Sequence, residues 1–105
     1  MTAYEFTRFD ADITHTLKAK GYDVDVVAMQ IDRSNPGKEC FRNTSEYKDA
    51  NDTFIELTMS CEKSEAIWWM GRWMLNAMAY GRQMKDLNWM AFFMAAYDIR
   101  KSLVA

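Results

Sequence analysis

The last forty residues of the chain constrain it most. Between Ala66 and Ala105, 27 of 40 positions are apolar, counting Ala. Six of the nine Met and all four Trp fall between residues 68 and 94. Helical spacing spreads these side chains around most of two cylinders. On residues 65–83 the polar line is narrow: Arg72, Asn76 and Gln83, with Ala79 between. On residues 87–104 it is Asn88, Asp98 and Ser102. A surface helix needs an apolar arc of only about 100°. Each of these helices must therefore be buried on two sides. Ser64 and Asp86 are the expected caps, and the short join around Gly81, Arg82 and Lys85 predicts an antiparallel hairpin. One continuous helix broken at Gly81 is the alternative.

The rest of the chain must supply the cover. At 105 residues with one Pro and four Gly, half of them hydrophobic and 27% charged, it reads as a single globular domain spanning 1–105. Residues 2–20 read as a helix. Thr2 and Glu5 form a capping box, Phe6, Phe9, Ile13 and Leu17 make one stripe, and Gly21 ends it. In residues 22–32 the β-branched Val24, Val26, Val27 and Ile31 and the alternation with Asp23 and Asp25 favour a strand, with a phase shift that a bulge would explain. A helix with Val24, Val27, Ala28 and Ile31 on one face is the competing reading.

Ser34-Asn35-Pro36-Gly37 signals a turn, after which residues 38–42 could return as a short strand. Residues 43–52 are polar and read as a loop. Residues 53–61 alternate, with Ile55, Leu57, Met59 and Cys61 to one side, as a half-buried antiparallel strand does. Thr53 and Glu56 could instead open a helix. The expected fold is α+β: an N-terminal helix, a small antiparallel sheet of two or three strands, and a C-terminal two-helix hairpin. An all-α fold is the alternative.

The formal net charge is -2. Residues 1–62 hold seven basic and twelve acidic side chains, and residues 63–105 hold six and three. Such a dipolar chain can orient a partner but names none. Cys40 and Cys61 could pair. With acidic residues scattered through the first thirty positions and no apolar leader, reduced thiols in a cytoplasmic protein are the expectation. The longest apolar runs fall far short of the roughly 20 residues that cross a bilayer, so no membrane partner is expected.

Catalytic patterns are not legible. His15 is the sole histidine and lies off its helix's apolar stripe, with no nucleophile at a telling distance. One His and two distant Cys do not space a zinc site, and Asp23, Asp25 and Asp32 lack the glycine of a calcium loop. The four Gly are isolated, so no phosphate loop forms. Glu46-Tyr47-Lys48 and Glu56-Leu57-Thr58 are incomplete as nuclease motifs. No catalytic residue, metal or cofactor is expected.

What remains is surface. Trp, Phe and Met are enriched at interface centres, and Met repacks readily against varied partners. Helical Met and aromatic stripes are ordinarily core, yet here they exceed what one domain can shelter. The expectation is a non-enzymatic protein-binding module that occludes a partner surface through Trp68, Trp69, Trp73, Met74, Trp89, Phe92 and Phe93, or dimerises through them. A twofold homodimer hides one patch with itself. An inhibitor or adaptor suits this size, small phage-encoded inhibitors of a host defence being one such class. The alternative is a small dimeric nucleic-acid-binding regulator using Arg72, Arg82, Lys85, Arg100 and Lys101, though these are few and dispersed for phosphate binding. An acidic surface imitating nucleic acid, built on Asp10, Asp12, Asp23, Asp25, Asp32, Asp49 and Asp52, is too thinly charged.

Overall fold

The computed structural model describes residues 23–34, 41–84 and 88–105. Among them are four helices and no strand. They are α1 (Val24–Ser34), α2 (Ser45–Met59), α3 (Lys63–Met84) and α4 (Asn88–Val104), with a 3-10 turn at Phe41–Asn43 before α2. The described fold is all-α, so the α+β expectation is corrected. The helix read over 2–20, His15, the turn through Asn35 to Gly37, and Cys40 lie outside the described residues.

Both expected strands are helices, and in each case a cap decides the matter. Asp23, read as the outward residue of a strand, is the cap of α1. Its Oδ1 accepts from the backbone N–H of Asp25 at 2.9 Å and of Val26 at 3.3 Å. The first helical bond, Val27 N–H to the Asp23 carbonyl, follows at 2.9 Å. These bonds satisfy donors that the first turn would otherwise leave open. Ala28 and Ile31 then enter the core, with Val24 and Val27 packed against it. That is the stripe of the competing reading.

Helix α2 begins nine residues before the point where the sequence suggested that a helix could open at Thr53. The polar residues 43–52, expected as a loop, hold its cap and its first two turns. Thr44 has an extended backbone, and its hydroxyl oxygen accepts from the Tyr47 N–H at 3.2 Å. The same hydroxyl donates to the Phe41 carbonyl at 2.7 Å, joining the cap to the 3-10 turn. Phe41 and Arg42, expected at the end of a returning strand, belong to that turn. Ala50 and Phe54 are buried and Tyr47 and Leu57 pack beside them, a helical 3-4-3 spacing. Ile55 and Met59, the inward residues of the supposed strand, are exposed. The alternation is thus an accident of two apolar residues on the solvent side of a helix.

The C-terminal segment forms two helices as expected, but α3 begins at Lys63, so Ser64 lies within it and is not its cap; Asp86 lies outside the described residues. α4 is the central element: α3 packs along one side of it, α2 along another, and α1 and the 3-10 turn close on what remains. Ala91, Phe93, Met94, Ala95 and Ala96 are all buried, so nearly a full circumference is covered. The three alanines let neighbouring backbones approach closely, while Phe93 and Met94 fill the space between them. Helix α3 contributes Met70, Met74 and Ala77 from one face only. Its opposite face remains in solvent. Where α3 leads into α4, Trp89 lies directly on Gly81: a Cβ there would sit 2.2 Å from the indole Cδ1. No described helix is long and apolar enough to cross a membrane.

Candidate docking groove

Helices α2 and α3 both lie along α4 but touch each other little. A groove of about 470 Å³ opens between them. Asp49, Ala50, Thr53 and Phe54 form the α2 wall; Trp73, Asn76, Ala77 and Tyr80 form the α3 wall; Phe92 of α4 lies beneath. The wall positions follow from helical spacing. Asp49 and Thr53 are four residues apart, and Trp73, Ala77 and Tyr80 are separated by four and three, so each set lines one face.

The groove is apolar, and much of its aromatic surface is wet. Trp73 is 39% and Tyr80 40% exposed. Trp73 leans on buried Phe54 with ring centroids 5.4 Å apart and planes inclined by 37°. One face of the indole is thereby fixed while another part stays open. Thr53 adds little polarity, because its hydroxyl donates back to the Asp49 carbonyl at 2.9 Å. The polar groups left on the walls are the Asp49 carboxylate, the Asn76 amide and the Tyr80 hydroxyl. No nucleophile with an adjacent base lines the groove. Its chemistry suits the holding of apolar side chains.

The residues expected to form an interface divide by burial. Phe93 and Met74 are core residues, 0% and 1% exposed. Trp68 and Trp69 meet edge to face at 4.8 Å and are half-buried. Trp89 is half-buried and packs edge-on to Phe93 at 6.2 Å. Of the seven, Trp73 and Phe92 line the groove. Ala50, Thr53, Phe54 and Tyr80 escaped sequence reading. Their signal was the spacing Tyr47, Ala50, Phe54, Leu57 behind Thr44, hidden by the reading of 53–61 as a strand.

A polar cluster lies elsewhere, where α1, the 3-10 turn, α2 and α4 meet. Arg42 donates from Nε and NH2 to the two carboxylate oxygens of Asp98 at 2.8 and 2.9 Å. It also donates from NH1 to Asp32. Tyr47 donates its hydroxyl to Asp98 Oδ2 at 2.8 Å, and Tyr97 donates to Asp25 at 2.6 Å. The hydrogen bond to Asp98, followed by its charge and that of Asp32, holds the Arg42 guanidinium above its ordinary range against the opposing effect of burial. Burial first, then the bond to Asp98, pushes Tyr47 up to about 12. The bond to Asp25 first, then burial, pushes Tyr97 up to about 12. The cluster ties four elements together.

The basic residues expected for nucleic acid are distributed differently. Arg72 is exposed on α3. Arg100 is half-buried on α4. The ammonium of Lys101 stands 5.9 Å above the Tyr97 ring, in a cavity that Asp25, Asp32 and Asp98 share. Arg33 and Arg42 line the same cavity, so a phosphate there would meet three carboxylates beside three cations. The side chain of Arg82 and all of Lys85 lie outside the described residues. No three described His, Cys, Asp or Glu side chains are grouped to hold a metal ion. Cys61 is a free thiol that donates to the Leu57 carbonyl at 3.3 Å. Burial, then the charge of Glu65, pushes this thiol up, away from thiolate chemistry. Comparison with protein-family models, with curated proteins and with solved structures finds no match for this chain.

Proposed function

We propose that the protein is a non-enzymatic binding module that acts by seating apolar side chains of a protein partner in the groove between α2 and α3. The observation that supports this most is the half-exposed Trp73, braced by Phe54 over an open apolar trough. A well-placed aromatic residue beside a preformed pocket is the usual anchor of a protein interface. Occlusion of the partner's surface is the consequence, as in an inhibitor or adaptor.

The test is affinity capture with the wild-type chain and with Trp73→Glu. Trp73 reaches solvent, so the charge can be accommodated without unfolding, and circular dichroism checks that it is. The expected result is a partner retained by the wild type and lost from the variant. Identical captures by the two proteins would remove the groove from the function.

A further inference from the structure

The rim of the groove specifies more than apolarity. On α2 the acidic residues flank the opening, while the facing α3 wall carries no charge. Asp49 lines the groove. At 100° per residue Glu56 lies about 20° from Asp49 on the outer edge of the opening, and Asp52 lies about 60° out, toward Lys48. All three are exposed. Lys48, the single basic residue of α2, is turned about 100° from Asp49, on the side away from Thr53 and hence from the trough. Across the opening stand Trp73, Asn76 and Tyr80. Arg72 is the nearest cation on α3, about 40° beyond Asn76 toward the outside. The trough therefore has an anionic lip at Asp49 and Glu56 and a facing aromatic lip with Arg72 set outside it.

We propose that the groove takes an amphipathic helix of another protein, with an apolar face bordered by lysine or arginine on the side that meets α2. The proposal rests on the groove being the binding site and adds the chemistry of its occupant. A helix is the occupant because the trough runs between two helices, and the described residues present no strand edge to which an extended peptide could add. The pairing of opposite charges across such a rim steers encounter and suppresses acidic competitors, more than it adds affinity.

Three synthetic helical peptides test this. All carry the same Leu and Phe stripe at i, i+3, i+4 and i+7; their flanking positions are Lys, Gln or Glu. Binding is read from the indole N–H resonance of Trp73, assigned with Trp73→Phe. The Lys peptide is expected to bind about threefold tighter than the Gln peptide, chiefly through faster association, with an advantage that shrinks as salt is raised. The Glu peptide is expected to bind weakest. Asp49→Asn combined with Glu56→Gln, both exposed and harmless to folding, should erase the advantage.

Equal binding of the Lys and Gln peptides would overturn the basic partner while leaving the groove as the binding site. Silence of Trp73 toward all three would overturn both. Sedimentation of the protein alone completes the set. A dimer that Trp73→Glu dissociates would assign the groove to a second copy of this chain and overturn the proposal.

Discussion

Arg42 grips Asp98 through two parallel hydrogen bonds of 2.8 and 2.9 Å, joining a turn ahead of α2 to the last third of α4. Tyr47 shares the same carboxylate. Replacing Asp98 by Ala leaves the Tyr47 phenol without its acceptor and the half-buried guanidinium with Asp32 alone. The expected loss is about 2 kcal/mol, the usual size when a charged hydrogen-bonding partner is removed. Tyr47→Phe should cost about 1 kcal/mol. Urea unfolding checks both; an Asp98→Ala midpoint equal to wild type would mean that the tie holds nothing.

Alkaline pH should loosen the same region. Tyr47 and Tyr97 are each pushed up to about 12, whereas a phenol in the unfolded chain titrates near 10. A raised folded pKa contributes stability that is complete below about 10 and lost as pH climbs through about 12. Urea midpoints measured across that interval should therefore fall. In the Tyr47→Phe, Tyr97→Phe double variant the fall should be much shallower. An equally steep decline in that variant would show that other groups cause it.

Gly81 offers a test of sign. Ala is the better helix former by about 1 kcal/mol, so Gly81→Ala in an open helix would stabilise. Here the new methyl would meet the Trp89 ring at 2.2 Å, near the base of the indole where it cannot swing clear. The hairpin must spread, and overpacking of this kind costs about 1–3 kcal/mol. Thermal denaturation should show Gly81→Ala below wild type. Adding Trp89→Leu to Gly81→Ala should recover part of that loss if the clash is its cause.

Burial separates two aromatic residues that the sequence treats alike. Phe93→Ala empties a fully buried site at the centre of α4 and should cost about 3–5 kcal/mol. Trp73→Ala removes a larger ring, yet one already 39% exposed, and should cost less than half as much. Denaturant titration of the pair decides this. Equal losses would place Trp73 in the core and take it away from the groove.

The caps carry the revision of the fold and can be tested directly. Thr44→Ala removes the acceptor for the Tyr47 N–H and the bond to Phe41. The expected cost is about 1 kcal/mol, as for other N-caps. A strand over 53–61, preceded by a loop, would leave Thr44 with no such role and the substitution silent.

The reading of residues 22–61 failed where local signals conflicted. Val24, Val26 and Val27 favour a strand by their branching, and the Asp23 cap together with the packing of Val24 and Val27 on the core makes the helical choice the better one. The contrast with α4 is instructive. Its apolar residues are so dense that its helix and its burial on more than one side follow from composition and spacing, while its central position is set by the packing of the other helices on it. The groove was half legible. Trp73 and Phe92 stood out by type, while Ala50, Thr53 and Ala77 matter only because two helices leave a gap there.

By itself the sequence determined that the C-terminal segment forms two strongly apolar helices, because helical period and side-chain chemistry are local properties; the two-sided cover expected of both is found for α4, whereas α3 is covered on one face. Only the tertiary structure decided which of those side chains stayed wet. It sank Met74 and Phe93, left Trp73 at the surface, and brought Arg42 to Asp98 across fifty-six positions. Burial and long-range pairing depend on what lies opposite in space, and a linear order of residues does not carry that information until the helices have packed.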